Sequence, residues 1–329
     1  ANNGVLLAIC SYLVVVVIGL AGSRVFFSAQ TTDPEILEYG VQYMTVVCAC
    51  SLGLFMQITM ERLLQSTGLT IYNMISQGTG AIINIVLDPV FIFGIGFVPK
   101  MGVTGAAVAT VTGQFFGMCI GTYFNLKKNK EISLSLKRMR FDGETVKSIY
   151  GVGVPSILMM SIGSVMTYGM NKILLGFSST AAAVFGVYFK LQSFFFMPVF
   201  GLNNSLVPII AYNYGAKNKA RIMRTVKLGC GAAVCILIFG ALIFQTMPTT
   251  LLRMFNASED MIGIGITALR VISLSFLLAG FCIVIGSVFQ ALGNGLYSLI
   301  VSVCRQLVVL LPAAYIFAHA FGLHAVWWS

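Results

Sequence analysis

The chain has 329 residues, of which 58% are hydrophobic and 9% charged, whereas ordinary soluble domains contain about 25% charged residues. Because the hydrophobic residues are spread over the whole length, the composition excludes a soluble protein with one membrane anchor and predicts an all-α polytopic membrane protein. The formal net charge of +10 indicates membrane topology and contact with membrane lipids rather than a nucleic-acid partner.

Nine apolar segments are long enough to cross a membrane, for which a helix needs about 20 residues. They cover 4–21, 39–60, 71–97, 103–124, 149–177, 181–212, 222–246, 261–290 and 296–318, and a tenth begins near 322. The first segment has neither a basic flank nor a cleavage site, so we interpret it as a span rather than a signal peptide. The chain starts without Met and ends inside an apolar segment, which predicts a fragment.

Basic residues cluster in two loops that are separated by two spans and therefore lie on the same side of the membrane. The two sets are Lys127, Lys128, Lys130, Lys137, Arg138, Arg140 and Lys147, and then Lys217, Lys219, Arg221, Arg224 and Lys227. The positive-inside rule makes that side cytoplasmic.

A faint internal repeat links the two halves of the chain. Residues 65–68 resemble residues 290–293, and each copy is followed by Tyr, an apolar span with Pro, and Gly. Both copies start on the cytoplasmic side, so the repeat predicts two bundles related by an axis along the membrane normal. We place the N-terminal bundle at 1–126, a cytoplasmic linker at 127–147 and the C-terminal bundle at 148–329.

Asp88 lies in the apolar stretch 82–93, and we find no other acidic residue near the middle of a predicted span. A carboxylate at bilayer depth costs at least roughly 2.5–3.5 kcal/mol unless it faces a polar cavity or takes up a proton or cation. This predicts an ion-coupled transporter with Asp88 as the coupling group. The alternative is a structural carboxylate paired with a Lys or Arg of another span.

Two neighbours strengthen the prediction of an ion site. Asn84 precedes Asp88 by four residues, so a helix places both side chains on one face. Pro89 removes a backbone donor and tends to bend the helix, which frees a carbonyl oxygen. An amide, a carboxylate and a loosened backbone predict a site for a proton or a small cation.

The sequence shows no catalytic constellation. The two histidines, His319 and His324, have no third ligand close in sequence, and the eight cysteines form no C-x-x-C pair. We therefore predict no metal site and no cofactor. The chain has no Gly-rich phosphate loop of the G-x-x-x-x-G-K type, which disfavours ATP-driven transport. These observations predict that the protein is not an enzyme.

Three segments carry a resemblance to a known family. They are residues 84–94, residues 102–110 and residues 213–218. In their order and spacing the chain resembles the multidrug and toxic compound extrusion (MATE) family, bacterial multidrug branch. The resemblance covers essentially the whole chain, from the family's third span into its twelfth, so two spans at the front and most of one at the back are missing.

The resemblance implies two six-helix bundles, truncated here to nine or ten helices, around a cavity that opens alternately to the two faces of a bacterial cytoplasmic membrane. Members are antiporters that export amphipathic, mostly cationic compounds in exchange for protons or sodium. We expect this protein to be monomeric. The family's coupling site in this branch matches Asp88, Asn84 and Thr110. A partner acid in the family's first span falls outside this chain.

The C-terminal bundle carries aromatic, methionine and polar residues that suit a cavity for flat cations. Our candidate cavity residues are Tyr168, Met170, Asn171, Lys172 and Tyr188. The alternative is that these side chains pack between helices or face lipid.

Two rival functions remain open at the level of the sequence. One is a flippase of lipid-linked oligosaccharides with a related fold, for which Lys172, Lys190 and Arg305 could supply a cationic cavity. The other is a membrane scaffold without transport activity.

Overall fold

The computed structural model describes residues 1–28, 33–96, 98–134 and 140–329. In these ranges the regular secondary structure is entirely helical, so the predicted all-α fold class is confirmed. Phe97, the predicted end of the third span, and Lys137 and Arg138 of the predicted linker lie outside the described residues.

The chain divides into two compact units, Ala1–Lys147 and Ser148–Ser329. Helices α1 to α5 belong to the first unit: Asn2–Ser28, Pro34–Ala49, Leu52–Ser66, Thr70–Phe93 and Gly102–Lys127. Helix α6 (Gly143–Leu175) begins before the boundary, and α7 to α11 follow as Ser179–Gly215, Lys219–Thr246, Pro248–Arg253, Glu259–Ser273 and Phe276–Ala291. The last elements are α12 (Gly295–Val303), a π-helical stretch (Cys304–Leu310), α13 (Leu311–Phe321) and α14 (Leu323–Val326).

Side-chain caps set the starts of several helices. The carboxylate of Asp33 accepts hydrogen bonds from the backbone amides of Glu35 and Ile36, and Pro34 occupies the first position of α2. Ser178, Asn218 and Ser258 cap α7, α8 and α10 in the same manner. Such caps satisfy backbone donors that have no partner within the helix.

Two predicted spans are in fact bent pairs of helices. The predicted span 39–60 consists of α2 and α3, and the predicted span 261–290 consists of α10 and α11, with a bend of 50° in each pair. Among the described residues, seven helices are long and apolar enough to cross a membrane, and counting each bent pair as one span raises the number to nine.

The bends share one local feature. The hydroxyl of Ser51 donates to the carbonyl of Cys48 at 2.8 Å, and the hydroxyl of Ser275 donates to the carbonyl of Ile272 at 2.7 Å. Each of these carbonyls also accepts from the backbone amide of the same serine, at 3.3 and 3.0 Å. The serine hydroxyl is therefore a second donor to a carbonyl in the turn just before the break.

Small residues allow α4 and α5 to pack with their backbones close together. A Cβ atom on Gly113 would lie 2.6 Å from the carbonyl oxygen of Gly80, and one on Gly80 would lie 2.8 Å from the carbonyl oxygen of Gly113. The buried hydroxyl of Ser76 also donates to the carbonyl of Gly117 at 2.7 Å. Small residues and interhelical hydrogen bonds of this kind are what hold helices together in a membrane.

The second unit has an apolar core rich in aromatic residues. Phe195 packs edge-on against Phe244, and Phe196 packs edge-on against Phe276, with ring centroids 5.5 and 5.1 Å apart. These rings join α7 to α8 and α11 and fix the arrangement of the three helices.

We expect Gly113→Ala to destabilise the protein by roughly 1–3 kcal/mol, because the new methyl group meets backbone rather than a flexible side chain. The measurement is the thermal unfolding of the purified protein in detergent. Gly78→Ala, on α4 with open space around its Cβ position, is the matched control. Equal melting temperatures for the two variants would contradict the close packing of α4 and α5.

Candidate functional site

Asp88 lies near the end of α4, about one turn before the helix stops at Phe93. Its side chain is half-buried. The amide nitrogen Nδ2 of Asn84 lies 3.4 Å from Oδ1 of Asp88. The structure therefore places the amide one turn below the carboxylate, on the same face of the helix.

Thr110 on α5 completes this group. Nδ2 of Asn84 also lies 3.4 Å from Oγ1 of Thr110, and the threonine hydroxyl donates its own hydrogen to the carbonyl of Ala106 at 2.9 Å. The hydroxyl oxygen is thus an acceptor toward Asn84. Both contacts of the amide are at the long end of the hydrogen-bond range, so neither holds the carboxylate tightly.

Gly113 and Pro89 shape the backbone around the site. Gly113 lies opposite Asn84, where a Cβ atom would come within 3.1 Å of the asparagine Cβ. Pro89 lies inside α4 and lacks an N–H group, so the carbonyl of Ile85 loses its usual donor one turn earlier. The site therefore combines a carboxylate, an amide, a hydroxyl and a carbonyl without a helical partner.

Asp88 is hydrogen-bonded to a neutral side chain. Within the part of the first unit that the structure describes, its side-chain hydrogen-bond partner is the amide of Asn84. The alternative of a structural ion pair gains no support from these described residues.

The candidate cavity residues of the second unit do not form one group. Met170 and Tyr188 are buried in the core, at 4% and 6% exposure, and Tyr188 packs against the rings of Phe185 and Phe189. Tyr168 and Lys172 are exposed and Asn171 is partly exposed. Within this unit, Met170 and Tyr188 therefore pack in the core rather than line a cavity. An open depression of about 520 Å³ in the second unit, beside Glu259, Asp260 and His324, contains none of the five.

Glu61 is an acidic residue of a membrane helix that the predicted spans did not include. The predicted second span ended at residue 60, so Glu61 was placed outside it, but α3 continues to Ser66 and Glu61 is only 5% exposed. Its oxygens accept hydrogen bonds from Gln57 and Gln77 at 2.9 and 2.7 Å. The sequence feature that could have identified Glu61 is the amide of Gln57 four residues before it, the same spacing as between Asn84 and Asp88.

The family is established by comparison of the sequence with family models. The MatE model matches residues 1–90 and 155–316. The chain belongs to the MatE family. The first matched range includes Asn84 and Asp88, whereas Thr110 lies between the two ranges.

Two curated relatives illustrate the similarity within the MatE family. Multidrug export protein MepA of Staphylococcus haemolyticus is 26% identical over 318 residues, which cover 96% of this chain and 69% of that protein. Multidrug export protein MepA of Staphylococcus saprophyticus is 28% identical over 295 residues, which cover 90% of this chain and 64% of that protein. The chain thus spans about two thirds of the length of these relatives.

Solved structures show the MATE fold. A MATE transporter in complex with MaL6 superposes with a TM-score of 0.89 at 24% identity, over 100% of this chain and 74% of that one. A MOP-superfamily transporter from Pyrococcus furiosus, for which the reverse polarity of the binding pocket suggests a different function, gives 0.90 at 25% identity, over 99% and 74%.

We expect the face of α4 that carries Asp88 to be accessible to water. In a variant without the eight native cysteines, a charged, water-soluble thiol reagent should label Asp88→Cys, because only a hydrated thiol forms the reactive thiolate. Val86 is 57% exposed but lies on the opposite side of the helix, so Val86→Cys should face lipid and stay unlabelled. Faster labelling at position 86 than at position 88 would contradict this orientation.

Proposed function

We propose that the protein is a secondary active multidrug exporter, which moves amphipathic organic cations out of the cell in exchange for protons by alternating access. The observation that carries this proposal is the half-buried carboxyl group of Asp88 in a membrane helix, in contact with the neutral amide of Asn84. An ionisable group at such a position is by default a functional group. Sodium is the alternative coupling ion.

The chemistry of the site suits a proton better than a metal cation. The amide directs its N–H group toward both the carboxylate and the threonine oxygen, and a sodium ion needs oxygen atoms at that place. A carboxyl group that gains a proton loses its charge and can move to a less polar environment. Proton uptake and release at Asp88 can therefore shift the balance between two conformations of the transporter.

The relatives support export of drugs. Both MepA proteins are multidrug export proteins, and this chain matches each over at least nine tenths of its own length. We propose the same class of substrate here, with a bacterial cytoplasmic membrane as the location, a monomer as the working unit, and no cofactor. In this proposal the protein transports its substrate unchanged and is not an enzyme.

The first test is export of ethidium from cells that lack their own drug pumps. We expect Asp88→Asn to slow export by about tenfold or more, because the amide cannot exchange a proton. Collapse of the proton gradient should slow wild-type export to the same extent.

Asp260→Asn is the matched control, since Asp260 is an exposed aspartate in the first turn of α10 and should export at the wild-type rate. Export by Asp88→Asn that keeps its wild-type rate and its dependence on the gradient would refute the coupling role. Wild-type export that needs sodium and ignores the proton gradient would change the coupling ion.

A second test concerns the threonine. Thr110→Val removes the oxygen that accepts from Asn84, which frees the amide to turn away from Asp88, and we expect export to fall by about threefold to tenfold. Thr112→Val is the control, because the hydroxyl of Thr112 donates to the carbonyl of Val108 in its own helix at 2.7 Å. Ethidium export that is equally slow in both variants would mean that Thr110 has no specific part in the site.

A further inference from the structure

Glu61 is a buried carboxyl group that the proposed mechanism does not yet use. It lies on α3 with 5% of its surface exposed. Nε2 of Gln57 donates to its Oε1 at 2.9 Å, and Nε2 of Gln77 donates to its Oε2 at 2.7 Å. Both partners are neutral amides, so among the residues that the structure describes the carboxyl group is held by hydrogen bonds rather than by an ion pair.

Glu61, Gln57 and Gln77 are arranged in the same way as the residues around Asp88. In each case an amide lies four residues before the acid on the same helix, Asn84 before Asp88 and Gln57 before Glu61. In each case a neighbouring helix adds one further polar side chain, Thr110 from α5 or Gln77 from α4.

Gln77, which donates to Glu61, lies on the same face of α4 as Asp88. Asn84 and Asp88 follow Gln77 by about two and about three helical turns, so the three side chains point in nearly the same direction. The distance along the helix from Gln77 to Asp88 is roughly 16 Å. By the topology that the basic loops predict, Glu61 is near the cytoplasmic end of the bundle and Asp88 is nearer to the outside.

Close helix packing connects the two groups. A Cβ atom on Gly80 would lie 3.7 Å from Nε2 of Gln57, and one on Gly117 would lie 2.7 Å from the same nitrogen. Gly113, which faces Gly80, also lies next to Asn84. The amide of Gln57 thus fills the space between α3, α4 and α5 directly below the site of Asp88.

Amide partners suit a carboxyl group that changes its protonation state. An amide donates N–H to a carboxylate, and after a turn about its last bond it accepts from the O–H of a carboxylic acid. Lysine or arginine could do only the first, which would favour the charged form. Gln77 is exposed, so a single side chain separates Glu61 from the surface of the first unit.

The fold does not require a carboxylate at this position. Glu61 lies four residues before Gln65, which corresponds to Gln290 in the internal repeat. The residue four positions before Gln290 is Gly286, which lies in the equivalent helix α11 and has Ser298 as its neighbour. The same bent pair of helices therefore forms without an acid.

Three other titratable side chains on α3 and the helices packed against it contact groups other than Glu61. Arg62 is exposed and donates to Gln65, Tyr72 packs on Phe124, and Tyr12 donates to the carbonyl of Ala49. The remaining such residues on α1, α4 and α5 are Cys10, Arg24, Asp88, Cys119, Tyr123 and Lys127.

We propose that Glu61 is a second proton-exchanging carboxyl group, which takes up and releases protons from the cytoplasmic side. The proposal rests on the proposed function, because it gives the exporter a second proton site, on α3 and on the cytoplasmic side of Asp88. It assigns the two acids to the two faces of the membrane.

The test uses inside-out membrane vesicles, whose bath corresponds to the cytoplasm, with the complete protein and ethidium as the transported probe. The bath pH is varied while the internal pH is fixed. Bath pH also sets the proton gradient, which acts on both proteins alike, so the readout is the uptake rate of Glu61→Gln relative to that of the wild type. This ratio is expected to change by about fivefold or more over the range of bath pH. The control Glu131→Gln alters an exposed glutamate of the same unit and should keep the wild-type profile.

A wild-type pH profile in Glu61→Gln would overturn the proposal for Glu61 and leave the proposed function intact. Absence of gradient-driven uptake in the wild-type vesicles would instead overturn the proposed function. If Glu61→Gln does not fold or transport, Glu61→Asp decides the matter. It retains a carboxyl group at a greater distance from both amides, so a shifted pH profile supports proton exchange at this position and an unchanged profile refutes it.

Discussion

The close approach of α4 and α5 at Gly80 and Gly113 is the contact on which the polar chemistry of the first unit depends. Without side chains at these two positions, the backbones come near enough for Asn84 to reach Thr110 across the interface. The absence of a side chain at Gly80 also leaves room for the side chain of Gln57 from α3. In a membrane, where lipid is as apolar as leucine, such close packing is a main source of helix association. The polar groups are therefore placed by the smallest residues of the bundle.

Local features of the sequence predicted the spans and the proximity of Asn84 to Asp88. Hydrophobic composition identified the membrane helices, and the spacing of Asn84 and Asp88 placed both on one face of α4, where the structure has them. The pairing of Asn84 with Thr110 came from the family resemblance and not from spacing. Glu61 was missed because its partner Gln77 belongs to another helix, so that only tertiary packing shows the carboxyl group to be enclosed. The bends at Ser51 and Ser275 were missed because neither has a proline to mark it.

The two units share a backbone plan but differ in charge. Both contain a bent helix pair followed by a long helical segment with a proline. The first unit adds to this plan the amide–carboxyl groups of Asp88 and Glu61. The second unit has Gly286 at the position that corresponds to Glu61, and its core contains packed phenylalanine rings. The proton chemistry that we propose is thus concentrated in one half of a repeated architecture, and the other half is free to provide an apolar surface.

Each bent pair is also held by a side chain of a long helix elsewhere in its unit. Tyr12 of α1 donates to the carbonyl of Ala49, and Gln245 of α8 donates to the carbonyl of Arg270. A phenol in one unit and an amide in the other thus bind the first helix of the pair, at positions that the repeat does not align. What each half must retain is a donor within reach of the broken turn, not a particular residue. The two halves can therefore differ in sequence around the break while both keep its angle of 50°.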